Sequence, residues 1–264
     1  VLPSYRFSET AVLETKNLTI RFGGHVAVDH VSCAFTPGTL TAIVGPNGAG
    51  KTTYFNLISG QLRATEGQVL LNGEDLTRLP APLRTRRGLG RAFQLTQLFP
   101  HLTVLENVRL AVQARRGVGL RMLSVWLKHK DLLDEARHIV ERVRLADKAT
   151  AIAASLPHGD QRKLEVAMLI ALDPKVYMFD EPTAGMSVDE VPVILDLIRE
   201  LKAKREHTIL LVEHKMDVVR ELADRIIVLH NGQLVADGEP ATVIASPVVQ
   251  NAYLGLAAEE EATA

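Results

Sequence analysis

One cysteine, Cys33, is all the thiol in 264 residues, so an internal disulfide is excluded and a cytoplasmic setting fits. Its alternation with Val31 and Phe35 reads as a strand residue facing a core, with a reactive thiol as the other reading. No apolar run approaches the roughly 18 residues that cross a bilayer as a helix. The opening Val1-Leu2-Pro3-Ser4-Tyr5-Arg6 lacks the apolar core of a secretory signal. An excess of one charge is also missing. Lys and Arg number 30 against 31 Asp and Glu, a net of -1, which removes nucleic acid as a default partner. There is no internal repeat and no sustained heptad. The one biased stretch is the small, acidic tail 257–264, expected to be disordered.

What is present is a soluble, foldable composition. Hydrophobic residues make 47% and charged residues 23%, enough for one large domain or two small ones. Leu18, Ile20 and Phe22 alternate with Thr19 and Arg21 as in a half-buried strand, and Val31 to Phe35 reads the same way. Leu40 to Val44 is a short apolar run that stops at a glycine-rich loop. Thr52 to Ser59 reads as a helix with Gly60 as its C-cap. Asn72-Gly73 and Asn231-Gly232 are hairpin signals. From Thr103 to about Ala151 the pattern is helical and charge-rich, with Leu132, Ala136, Ile139, Val140 and Val143 on one face. Strand and helix then alternate again: a helix from Gln161 to Leu172, a strand from Val176 to Phe179, a helix on Val191, Ile194, Leu195, Ile198 and Leu201, and a strand from Thr208 to Val212. Ser187 and Glu190 have the spacing of a capping box before the second of these helices.

The fold class these signals predict is α/β: a largely parallel sheet covered on both faces, an antiparallel β edge, and an inserted α-helical subdomain. The boundaries expected are 11–94 with 156–256 for the core, 95–155 for the helical insert and 257–264 for the tail.

Five elements carry chemistry. The loop Gly45-Pro46-Asn47-Gly48-Ala49-Gly50-Lys51-Thr52 stands between an expected strand and an expected helix. Its glycines let backbone N–H groups curl around phosphate oxygens, and the helix start adds a positive dipole end. Lys51 would neutralise the β- and γ-phosphates, Thr52 would ligate Mg²⁺, and Thr53 would reach the α-phosphate of ATP. Asp180 and Glu181 follow a buried strand, where nucleotides bind in open α/β sheets. Asp180 is the expected Mg²⁺ partner through water, and Glu181 the general base for the attacking water. Gln94, after a short strand, has an amide able to reach both Mg²⁺ and that water. His214, at another strand's end, could donate to the γ-phosphate. Gly159, in Leu156-Pro157-His158-Gly159-Asp160, opens a helix and is a further potential anion site.

The order and spacing of these elements resemble the ATP-binding cassette (ABC) family of transporter ATPases, a phosphate-loop NTPase (RecA-like) fold, over about Leu13 to Gly255. In turn they resemble its Walker A, Q-loop, signature, Walker B and switch-histidine motifs. The resemblance implies that Phe22 stacks on adenine and that Ala184-Gly185-Met186 is the D-loop. It also implies that two cassettes meet head to tail, with Gly159 facing the ATP of the second. Two residues depart from the usual Leu-Ser-Gly-Gly-Gln signature: Pro157 for serine and Asp160 for glutamine. Asp160 either places negative charge near phosphates or turns inward to cap its helix.

Phe22-Gly23-Gly24, Arg91-Ala92-Phe93-Gln94, Leu102 to Val108, Thr183 to Met186 and Ala252-Tyr253-Leu254-Gly255 are similar to the ATP-binding subunits of branched-chain amino acid importers. That group also includes importers of urea, short amides and aromatic acids. Transmembrane permease subunits and, indirectly, a periplasmic solute-binding protein are the partners implied, at the cytoplasmic face of the inner membrane. Leu95 to Leu102 is the expected floor for a permease helix. Arg115, Arg116, Arg121, Lys128 and Lys130 form either a solvated helix face or a contact with the permease or lipid headgroups. The competing readings are a non-transport cassette ATPase, against which the single cassette and the absence of sustained heptads count, a module that holds ATP without turnover, and a kinase or GTPase. Guanine recognition would need Asn-Lys-x-Asp, which is absent, and Glu181 beside Asp180 favours water as acceptor.

Overall fold

The computed structural model describes residues 12–92, 98–117, 130–247 and 249–250. In chain order the first half holds β1 (Leu13–Phe22), β2 (His25–Phe35), β3 (Leu40–Val44), α1 (Lys51–Ser59), β4 (Glu66–Leu71), β5 (Glu74–Asp75), α2 (Ala81–Arg86), β6 (Leu89–Ala92) and α3 (Val104–Arg115). Then follow α4 (Lys130–Arg142), α5 (His158–Leu172), β7 (Val176–Asp180), α6 (Val191–Ala203), β8 (Thr208–Val212), α7 (Met216–Leu222), β9 (Arg225–His230), β10 (Gln233–Gly238) and α8 (Pro240–Ile244). The chain folds as two compact units. One comprises Val1–Leu89, Lys175–Glu181 and Lys202–Ala264, the other Gly90–Pro174 and Pro182–Leu201.

The first unit is built on two sheets. β2-β1-β4-β5 is antiparallel throughout, with Leu13 paired to Phe35 on one side and Leu71 on the other. In the second sheet β3 lies between β8 and β9, parallel to both, with β7 beyond β8 and β10 antiparallel on β9. β3, β7 and β8 are buried at every residue, which is why each is mostly apolar on both faces rather than alternating, with Thr41, Asp180 and Thr208 as the polar residues among them. Both hairpin signals are realised: Asn72 and Gly73, and Asn231 and Gly232, all have φ between 47 and 78°. Register matters most for the site. Val212 is the partner of Ile43 on one side and of Asp180 on the other. The C-terminal ends of β3, β7 and β8 therefore share one sheet edge, where residues 45, 181 and 213 leave it.

Arg84 fastens this unit. It is 2% exposed, and its guanidinium donates to the carbonyls of Leu57 and Ile58 at the end of α1 and to those of Leu79 and Thr77.

The second unit is helical. α3 begins with a full capping box: the Thr103 hydroxyl accepts from the Glu106 N–H, and the Glu106 carboxylate accepts from the Thr103 N–H. Buried Asn107 accepts from the Phe99 N–H at 2.8 Å and donates to the Thr103 carbonyl at 2.9 Å, fixing the chain that enters α3. On α4, Leu132, Ala136, Ile139 and Val140 form the buried stripe its periodicity predicts.

Two expectations need correction. α5 starts at His158, not Gln161, so Gly159 and Asp160 lie in its first turn with Pro157 as N-cap. A proline's fixed φ is compatible with a helix entry. Ser187 and Glu190 make only half a capping box. The Glu190 carboxylate accepts from the Ser187 N–H, but the Ser187 hydroxyl donates to that carboxylate, and the Glu190 N–H bonds the Ser187 carbonyl instead. Arg115 and Arg116 pair with Glu135, and Arg116 also with Asp131, so α4 takes up both charges. Arg121, Lys128, Gln94, Leu95 and the segment 251–264 lie outside the described residues.

Candidate nucleotide site

β3 ends at Val44, and the chain leaves the sheet edge as the glycine loop. Gly45 has φ 149° and Gly50 φ 97°, values L side chains rarely adopt. At Gly50 a Cβ would stand 2.5 Å from the Ala27 carbonyl oxygen, and at Gly45 it would collide with that of Leu229. The loop thus packs backbone against backbone. No side chain caps the start of α1, so its first-turn N–H groups remain available to an anion.

Lys51 is 6% exposed, and its ammonium donates to the Gly45 and Pro46 carbonyls at 2.6 and 2.8 Å. Burial lowers its pKa below the ordinary lysine value, and the carboxylates of Glu181 and Asp180 pull it back up. The lysine is therefore held at the mouth of its own loop, within the field of two acids. Asp180 is the buried last residue of β7. Glu181 follows in a left-handed conformation, φ 48°, its N–H bonded to the Val212 carbonyl at 2.9 Å. That bond across the sheet edge sustains an unfavourable backbone and aims the side chain. Its Oε1 lies 2.7 Å from Nε2 of His214. The buried Glu213 carboxylate accepts from the N–H groups of His214 and Lys215, at 3.0 and 3.3 Å, and sets the turn from which His214 projects.

A cleft of about 420 Å³ gathers these groups: Phe22, His25, Asn47, Lys51, Glu181 and His214 line it, with Thr52 and Thr53. Phe22 is 50% exposed, an uncommon position for a phenyl ring unless something covers it. Sequence reasoning missed His25 and Glu213. His25 is the cross-strand partner of Phe22 around Gly23-Gly24, so the hairpin pattern carried a signal for it. Glu213 carried none, because its role is to bond backbone.

Gly159 and Asp160 belong to the second unit and are both buried. Asp160 does not cap its helix. Burial works against its charge, but Lys148 and Lys163 outweigh this and hold its carboxyl below the usual range.

A strand, a glycine loop closed by a buried lysine, a helix start and an acid–histidine pair on the neighbouring strand ends define a phosphate-loop nucleotide hydrolase. The ABC transporter family profile matches residues 28–184. The chain belongs to the ATP-binding cassette family of transporter ATPases. It is 38% identical over 249 residues to the high-affinity branched-chain amino acid transport ATP-binding protein LivG of Escherichia coli (strain K12), covering 92% of this chain and 98% of that one. Among solved structures it resembles the ADP conformation of an ATP-binding cassette of an ABC transporter, with TM-score 0.77 and 32% identity over 93% of this chain and 99% of that one. It also resembles a dimeric post-hydrolysis cassette bound to ADP and Pi, with TM-score 0.74 and 26% identity over 86% and 98%. The chain is thus an ABC-type ATPase subunit that binds adenine nucleotide.

Proposed function

We propose that this subunit powers import of branched-chain amino acids, working as a pair of cassettes beneath two permease subunits at the cytoplasmic face of the membrane. A solute-binding protein would deliver the cargo from outside. LivG and its relatives, similar along nearly their whole length, support the cargo class. The dimeric relative supports the pairing. Among the described residues no helix is long and apolar enough to cross a membrane, so the membrane path would belong to other chains.

The observation that carries the reading is the Glu181–His214 pair in the same cleft as Lys51 and Phe22. Phe22 stacks on adenine. The loop amides from Gly45 to Gly50 and the start of α1 bind the phosphates, with Asn47 at the cleft wall and Thr53 at the α-phosphate. Lys51 exchanges its loop carbonyls for phosphate oxygens. Glu181 takes the proton of the attacking water, and His214 orients that carboxylate and meets the γ-phosphate. The Thr52 hydroxyl and Asp180 carboxylate are the hard oxygen donors that fit Mg²⁺, which takes few protein ligands and shares the phosphates. When bound, Mg²⁺ neutralises charge developing on the β- and γ-oxygens. Gln94 is assigned to the same ion and water, and Gly159 to the second cassette's ATP.

The test is reconstitution with the permease and binding protein. ATP hydrolysis should rise with leucine-loaded binding protein, and Lys51→Glu should abolish both nucleotide binding and uptake. Hydrolysis that responds to urea or an aromatic acid but not to leucine would overturn the cargo assignment.

A further inference from the structure

The first turn of α5 and the turn 183–190 carry a charge cluster that phosphate chemistry does not explain. Lys148 and Lys163 both grip the Asp160 carboxylate, Lys163 at 2.9 Å. Lys163 reaches on to Oε1 of Glu190 at 3.1 Å. The other Glu190 oxygen accepts from the Ser187 N–H at 3.2 Å and the Ser187 hydroxyl at 3.0 Å. Two ammonium groups thus balance two carboxylates.

The Glu190 carboxylate also sits directly over Gly159, where an added Cβ would collide with both of its oxygens. Gly159 is helical and not among the positive-φ glycines, so its backbone does not demand glycine; a side chain there would push the Glu190 carboxylate off its bonds to Lys163 and Ser187. Nearby, a Cβ on Gly185 would lie 3.1 Å from the His158 ring. The start of α5 therefore meets the 183–190 segment at two points, His158 against Gly185 and Gly159 against Glu190.

We propose that Glu190 is a positioning residue that locks Gly159 and the 184–186 turn into one surface, so that both meet a second cassette together. The proposal rests on the paired-cassette reading above. Asp160 then has a role consistent with its charge: it anchors Lys163, which holds Glu190, and it presents no net charge to phosphate. Without Glu190, Lys163 keeps one partner, Ser187 is released and space opens above Gly159.

The experiment uses the full chain in the Glu181→Gln background, where ATP binds without turnover. ATP-dependent dimerisation is followed by light scattering, and nucleotide affinity by a fluorescent ATP analogue. Adding Glu190→Ala or Glu190→Gln should weaken dimerisation about tenfold or more, with nucleotide affinity and the thermal midpoint nearly unchanged. Gly159→Ala alone should block dimerisation, and Gly159→Ala with Glu190→Ala should restore part of it. If Glu181→Gln itself forms no ATP-dependent dimer, the paired-cassette reading fails and the inference with it. If it dimerises and the Glu190 variants dimerise equally well, the inference alone fails. It fails too if Gly159→Ala is no better tolerated once Glu190 is shortened.

Discussion

Nε2 of His214 lies 2.7 Å from Oε1 of Glu181, although the two residues leave different strands, β8 and β7. Parallel pairing of those strands in register brings the two side chains together. Glu181→Gln is expected to lower the hydrolysis rate about 10²–10⁴-fold while ATP still binds. His214→Ala should cost about 10²-fold in kcat with little change in KM. Single-turnover hydrolysis beside equilibrium nucleotide binding reads both; equal losses in binding and rate would contradict the assignment.

Phe22 places half its surface in solvent at the rim of the nucleotide cleft. Phe22→Ala should weaken ATP and ADP alike, by about 1 kcal/mol or fivefold, since stacking ignores the γ-phosphate. Phe22→Tyr should restore affinity. Titration with fluorescent analogues of both nucleotides measures this.

Pro157 caps α5 with no side-chain hydrogen bond. A serine there could accept from a first-turn N–H, so Pro157→Ser should stabilise the chain by about 0.5–1 kcal/mol. ATPase activity should not fall. Denaturant unfolding and steady-state hydrolysis give the two numbers, and a large loss of activity would assign the proline a role of its own.

Cys33 is buried, and burial pushes its thiol up to about 12. At pH 8 the thiolate fraction is then about one in ten thousand, and the group is covered as well. The folded protein should leave a thiol-specific chromogenic disulfide unreacted, with one equivalent released in denaturant. Rapid reaction of the native chain would show the strand reading of Cys33 to be wrong.

Arg84 donates to four backbone carbonyls from a fully enclosed position. Arg84→Met strands those carbonyls and should lower stability by about 1–3 kcal/mol or more. Arg84→Lys should recover little, because an ammonium cannot span the fork. Chemical denaturation followed by circular dichroism decides it.

The buried parallel strands are legible because segments such as Leu40 to Val44 are apolar on both faces apart from Thr41, and the phosphate loop because its glycines fall between strand and helix. The start of α5 was misread since Gly159 and Asp160 are poor residues for a helix interior, yet tolerable in its first turn. The capping box at Thr103 and Glu106 has its spacing in the sequence, while the one expected at Ser187 and Glu190 stays half-made because the Ser187 hydroxyl donates to the Glu190 carboxylate instead of accepting from the Glu190 N–H. The partners of Arg115 and Arg116 lie 15 to 20 residues away, and Lys148 lies 12 residues from Asp160, so these pairs become visible only once the helices pack. Asp160 in particular shows why: its sign alone suggests conflict with phosphate, and Lys163 one helical turn on, together with Lys148 brought in by packing, resolves it.

Arg84 also carries a message about timing. The carbonyls of Leu57 and Ile58, at the far end of the helix that opens with Lys51, wait for a guanidinium encoded 26 to 27 codons downstream. On a ribosome, that helix emerges well before its clasp does. The nascent phosphate-binding segment is thus finished by what is synthesised after it, and a chain arrested ahead of position 84 would hold the loop without its anchor.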